Sequence, residues 1–246
     1  MPTDEIQVYT SDIEPVGVVG LTWHNNYTSD GPKIPDYPGA LVDRHAYSSV
    51  TEWAYGVTPW FEAGLYVPLF ANTPGQGWTF NGFKLRALFA KPGYADNEFY
   101  YGANFEFSWN QKWWKPHVNS IEIRPIIGFR FGPGNRLSIT FNPILDSDYR
   151  GGIGGFEFNP ATRLDYRIDD TWTAALEEYD GFGALHRFLP SSEQSHELWL
   201  AGDYNGDPIS VEFGAGIGLT PASDGLTVKL MFSTDLTGPR GLLATR

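Results

Sequence analysis

The sequence contains no cysteine, which excludes a disulfide frame, a thiolate metal site and thiol chemistry. It has no apolar run of 18 residues, so no transmembrane helix is expected; the stretch Val16 to Leu21 is among the longest and is far too short. Basic residues are scarce: 17 Lys and Arg stand against 29 Asp and Glu, a formal charge of −12. That balance excludes a nucleic-acid binder, whose phosphates need a basic surface. Period-3.6 hydrophobic patterns are hard to find, so helices should be minor. The opening residues, Met1-Pro2-Thr3-Asp4, carry neither a basic nor an apolar leader region, so an exported protein is expected here in its mature form.

Aromatic residues, by contrast, are abundant, at 16% of the 246 residues. The informative pattern is alternation at period two. Phe99, Tyr101, Ala103, Phe105, Phe107 and Trp109 fall on one face of an extended segment, and Tyr100, Gly102, Asn104, Glu106 and Ser108 on the other. Ile121, Ile123, Pro125, Ile127 and Phe129 oppose Glu122, Arg124, Gly128 and Arg130 in the same way. Twelve such segments are predicted, over 16–27, 45–55, 61–70, 80–90, 98–109, 120–130, 136–145, 157–168, 171–180, 196–204, 209–219 and 226–236. Their connections mostly alternate between tight (Asp169-Asp170, for example) and long (28–44, 146–156 and 181–195). The fourth, 91–97, is longer than that alternation predicts, and the eleventh, 220–225, is shorter. An even strand count with short turns on one rim and long loops on the other predicts an all-β, closed antiparallel transmembrane barrel with both termini at the short-turn rim.

Orientation follows from the polar face. It mixes Gly with both signs of charge, a combination that weakens a solvent-facing strand but suits a lumen, where Gly leaves room for long ionised chains. The apolar face can meet lipid, where a midplane charge costs roughly 2–4 kcal/mol. Trp23, Trp53, Tyr55, Trp60, Trp109 and Trp172 fall near strand ends, as interfacial girdles do. The alternative is a large soluble sandwich with an aromatic core.

The units Tyr55-Gly56-Val57-Thr58-Pro59-Trp60-Phe61-Glu62-Ala63-Gly64-Leu65-Tyr66 and Tyr166-Arg167-Ile168-Asp169-Asp170-Thr171-Trp172-Thr173-Ala174-Ala175 resemble the strand–short turn–strand units of Gram-negative outer-membrane β-barrel proteins. The resemblance implies the bacterial outer membrane, with bilayer lipid and lipopolysaccharide as surroundings, but no single activity. Such barrels often end on an aromatic residue, whereas this chain continues past Phe232 to Arg246. Residues 237–246 are therefore read as a tail, 16–236 as the barrel, and 1–15 as a segment that either plugs the lumen or lies free in the periplasm.

By strand parity the lumen should carry Lys84, Arg86, Arg124, Arg130, Arg163, Arg167 and Lys229 against Glu52, Glu62, Glu106, Glu122, Asp165, Glu177, Glu197 and Glu212. These can line a narrow channel for small polar solutes or close it as an ion-pair lattice. A non-conducting structural or partner-binding barrel is the second reading, and a membrane-embedded lipid hydrolase the third. No hydrolase motif surrounds His24, His45, His117, His186 or His196, and no catalytic residue is assigned. Asp203, Asn205 and Asp207 have the spacing of part of a calcium loop, but a tight turn explains them better. Neither a metal nor a cofactor is expected. Asp146 and Asp148 are candidates for cation bridges to lipopolysaccharide, and Trp113 and Trp114 for an anchor at the outer rim.

Overall fold

The structure is a computed structural model and describes residues 5–96, 98–150 and 152–238. Among them, sixteen strands form one antiparallel sheet. They are β1 (Val19–Asp30), β2 (Ala46–Thr58), β3 (Phe61–Thr73), β4 (Gly77–Ala90), β5 (Phe99–Asn110), β6 (Asn119–Phe131), β7 (Leu137–Asn142), β8 (Leu145–Ser147), β9 (Glu157–Phe158), β10 (Ala161–Arg167), β11 (Trp172–Gly181), β12 (Gly183–Ala184), β13 (Arg187–Phe188), β14 (Ser195–Tyr204), β15 (Ser210–Gly218) and β16 (Leu226–Asp235). Twelve of them, β1 to β7, β10, β11 and β14 to β16, follow one another around a ring. The ring closes where β1 pairs with β16, from Gly20 opposite Asp235 to Asp30 opposite Leu226.

The short strands β8 and β9 are upper ends of ring strands rather than separate units. β7 and β8 meet β6 in a single register, with Phe131 opposite Leu137 and Ile121 opposite Ser147. β9 and β10 are likewise two parts of one strand, interrupted at Asn159-Pro160, where proline removes a ladder donor. The predicted segment 157–168 matches that pair. β12 and β13 then carry the sheet further, so one side of the wall rises above the outer rim as a flap. Strand ends elsewhere agree with the predicted spans to about three residues.

Parity slips at two places. In β3 the inward positions pass from Tyr66 to Leu69, with register shifts against β2 and β4, and in β4 a shift falls beside Gly82. Above these bulges strict alternation fails, so Leu69 and Ala71 face inward. The third connection is consequently a three-residue turn, 74–76.

The sides match the predicted orientation. Trp53, Leu65, Leu85, Phe107, Leu176 and Leu230 are exposed on the outer wall, while Glu106, Glu177, Arg163 and Lys229 are buried inside. Trp60 stacks near Phe89, and Trp172 lies against Tyr204 at the short-turn rim; Tyr47 meets Trp78 at the loop rim. An apolar exterior around an ionised interior is the reverse of a soluble barrel and defines a transmembrane one.

Turn chemistry explains the tight rim. Asp169 Oδ1 accepts hydrogen bonds from the amides of Thr171 (2.8 Å) and Trp172 (2.9 Å), which fixes the β10–β11 turn. After β4, Tyr94 tucks back toward the barrel: Arg130 donates to its carbonyl at 2.7 Å and lies 4.1 Å from its ring centroid.

Candidate functional site

The lumen is divided by the chain's own N-terminal residues. Residues 5–15 run inside the barrel, with Glu5, Ile6, Val8 and Tyr9 buried. Two walls grip the segment by its backbone: Arg124 on β6 donates to the carbonyl of Gln7 (3.0 Å), and Lys229 on β16 to that of Ile6 (3.2 Å). Asn142 on β7 accepts from the amide of Tyr9 and donates to its carbonyl. Lower down, the amide of Glu14 donates to Glu62 at 2.6 Å. Two glycines make the bed. A Cβ on Gly20 would sit 2.0 Å from the Glu14 carboxylate, and one on Gly56 would sit 2.3 Å from the carbonyl oxygens of Glu14 and Pro15.

Small apolar groups support these contacts. Tyr9 packs with Leu88, Ile126 and Ile13, and Val8 with Ile144, Ala161 and Tyr179. At the loop rim, Leu41 and Trp114 fold inward onto Ala71. Trp114 is only 2% exposed, so it is a packing residue of the mouth and not the expected rim anchor; Trp113, at 38%, remains at the surface.

Most of the charges expected inside are gathered there in two lattices on either side of the segment; Arg130, Arg167 and Glu197 lie toward the two mouths, and Arg167 is exposed. In the first, Arg86 pairs with Glu52 (2.9 Å) and Glu62, His24 with Glu52 (3.0 Å), Lys84 with Glu106 (3.3 Å), and Arg124 with Glu122 (2.7 Å). The Tyr9 and Tyr66 hydroxyls meet between them. In the second, Arg163 touches Asp165 (2.6 Å), Glu177 (2.5 Å), Asp203 (2.5 Å) and Glu212 (3.2 Å), and Lys229 touches Glu177 and Glu212 at 2.6 Å each. Arg130 and Arg167 sit at the short-turn mouth, where Arg167 donates to the carbonyl of Gly134. Glu197 receives the indole N–H of Trp199 near the loop rim.

Several partners lay beyond the reach of parity. Asp203 is committed to Arg163, which leaves no free calcium-like triad at Asp203, Asn205 and Asp207. Asp146 faces the interior and accepts from Asn159 (2.7 Å), and Asp148 pairs with His117 (2.8 Å), so neither is placed for the expected cation bridge to lipopolysaccharide. His196 on β14 bonds Asp180, its cross-strand neighbour on β11 (2.5 Å), and His186 the carbonyl of Gly154. The segment 5–15 was the largest gap: its weak strand character gave no sign of where it lies.

Cavities remain among the described residues, three of them bordering the segment or the loop rim. One of about 620 Å³ opens to the loop rim; two, of about 610 and 780 Å³, flank the segment on the short-turn side. In the 610 Å³ cavity, burial together with Asp235, Glu62 and Asp12 pushes the Glu14 carboxyl up to about 8.

This architecture is shared with solved outer-membrane proteins. An outer membrane channel of the COG4313 group from Pseudomonas putida F1 superposes with a TM-score of 0.61 at 12% identity, over 94% of this chain and all of that one. The fold is that of an outer-membrane β-barrel. The KdgM porin, solved with disordered oligogalacturonate, matches at 0.55 and 9% identity over 87% of this chain and 98% of its own. The NanC porin matches at 0.55 and 10%, over 89% and 100%. No family model matches the sequence, and no curated protein is similar to it. At these identities the likeness establishes the outer-membrane barrel fold and nothing finer about activity.

Proposed function

We propose that this protein is a narrow bacterial outer-membrane channel for small polar solutes, lined by the charges of the two lattices and narrowed by residues 5–15. The observation that carries the reading is the pair of short-turn cavities beside that segment, facing a third cavity at the loop rim. Polar space lies on both sides of a single extended strand of chain, held by a handful of hydrogen bonds. The structural likeness to channels and porins supports the same reading. Oligogalacturonate, the ligand solved with the KdgM porin, is a poor guide to the solute here, because carboxylates already engage Arg86, Arg124 and Arg163.

A second reading, a non-conducting structural or partner-binding barrel, draws on the same segment. Its grip by Arg124, Lys229 and Asn142 favours a closed resting state. Single-channel recording in a planar bilayer separates the two. Discrete conductance steps in the intact protein, enlarged on deletion of residues 1–15, are expected of the channel. No current from either form, with both correctly folded, rejects it.

A further inference from the structure

The charge lining the three cavities is unequal. Seven carboxylates and three Lys or Arg line the loop-side vestibule. The 610 Å³ cavity on the other side has six carboxylates and Arg86 as its one Lys or Arg. In the 780 Å³ cavity four of each are balanced. The excess has a definite source on the outer side. Glu122 on β6 stands opposite Asp146 on β8, and Asp146 opposite Glu157 on β9. Three carboxylates thus form one cross-strand row on the inner face of the flap. Directly opposed like charges weaken a sheet, and Arg124 on Glu122 and Asn159 on Asp146 offset that repulsion only in part.

A second observation points the same way. Glu5 reaches the vestibule from the N-terminal segment with a side chain only 2% exposed. Among the described residues neither of its carboxylate oxygens receives a hydrogen bond, and its ion pairs with Lys84 Nζ and Arg124 Nη1 are long, at 3.9 and 3.7 Å. A buried acceptor without a hydrogen-bond donor at the edge of a cavity is open to an N–H from a solute.

We infer that the lumen selects small cationic solutes, with Glu122, Asp146, Glu157 and Glu5 as the collecting site of the outer vestibule. The inference rests on the channel reading for its physiological sense, but the local field exists whether or not current flows. A low-dielectric cleft lined by one sign of charge raises the local concentration of the opposite ion, by factors of about 10 to 10³. An anionic solute meets the reverse, since Arg124, Arg86, Arg163 and Lys229 are each already bonded to carboxylates.

The absence of cysteine allows a direct test. A single thiol is placed in the vestibule by Ser120→Cys, and by Ser108→Cys as an independent second site. Each is modified with a trimethylammonium methanethiosulfonate and with its sulfonate counterpart. Relative to a small free thiol, the cationic reagent should react roughly tenfold or more faster than the anionic one. Adding Asp146→Asn and Glu157→Gln should bring the ratio back toward that of the free thiol. Equal rates, or a preference for the sulfonate, overturn the inference. The reversal potential in a salt gradient is read alongside. A cationic reagent preference without any current retains the collecting site and removes the channel; an anion-selective current removes the inference and keeps the channel.

Discussion

Asn142 treats Tyr9 as a neighbouring strand would. The Tyr9 amide donates to Asn142 Oδ1 at 2.7 Å, and Asn142 Nδ2 donates to the Tyr9 carbonyl at 3.0 Å. One carboxamide therefore satisfies both backbone groups of a buried residue of the segment, on a strand that is otherwise fully paired with β6 and β10. An amide has one donor face and one acceptor face, so neither a carboxylate nor an aliphatic side chain can copy it.

Asn142→Leu should therefore release the segment while the wall stays closed. Two hydrogen bonds of about 0.5–1.5 kcal/mol each are removed, and two backbone groups lose their partners. The expected result is faster hydrogen exchange at residues 6–10 with unchanged exchange in the strands. Asn142→Asp should give an intermediate effect, since it keeps the acceptor and loses the donor. Equal protection in all three forms would show that Asn142 does not hold the segment.

Arg163 is the hub of the second lattice, within 3.2 Å of four carboxylates. Arg163→Met leaves Glu177, Glu212, Asp165 and Asp203 facing one another, with Lys229 the cation still paired to Glu177 and Glu212. Removal of one member of a buried ionic network is expected to destabilise by about 3–5 kcal/mol. Arg163→Lys should recover only part of this, because an ammonium cannot replace a planar fork that meets several carboxylates at once. The measurement is the urea midpoint of the folded barrel in detergent, and a midpoint unchanged in the Met variant would contradict the network.

The barrel was legible from the sequence because a two-residue period is imposed along each strand by the contrast between lipid and lumen. Phe105 and Glu106, or Ile123 and Arg124, declare their sides without any neighbour being known. Charge partners were not legible to the same degree. Arg163 meets Glu177 on an adjacent strand but also Glu212, which lies two strands further on, and such meetings depend on side-chain reach across a curved wall. Parity also failed where bulges intervene, so the inward turn of Leu69 gave no signal. The N-terminal segment was silent for a different reason. Its partners are single side chains from several strands, and Gly20 and Gly56, which make room for it, look like any other lumen glycines.

The lipid face supplies a check on orientation that involves neither segment nor solute. Leu85 in β4 lies on the outer wall at 45% exposure, and Leu88 faces inward at 2%. Leu85→Arg should cost about 2–4 kcal/mol of folding free energy into lipid vesicles if it lies near the midplane. Leu85→Asn should be milder, having no ionic charge to place in hydrocarbon. A Leu85→Arg protein as stable as the parent would mean that this face does not meet acyl chains.

The docking of residues 5–15 should weaken as pH rises. Burial, with Asp235, Glu62 and Asp12 close by, raises the Glu14 carboxyl from its ordinary 4.5 to about 8. Burial raises Asp12 as well, against the pull of Arg130, and raises Glu5 despite Arg124, Lys84 and His24. A carboxyl whose pKa is raised on docking binds its proton more tightly in the docked state. Docking therefore loses stability as pH climbs from about 4.5 toward 8, and the loss from Glu14 levels off above that. The segment should be protected from protease and hydrogen exchange at pH 5 and progressively exposed by pH 9. Glu14→Gln, which keeps the shape and cannot ionise, should flatten most of that dependence. Protection that increases with pH in the parent would show the carboxyl to be ionised in its seat over Gly20.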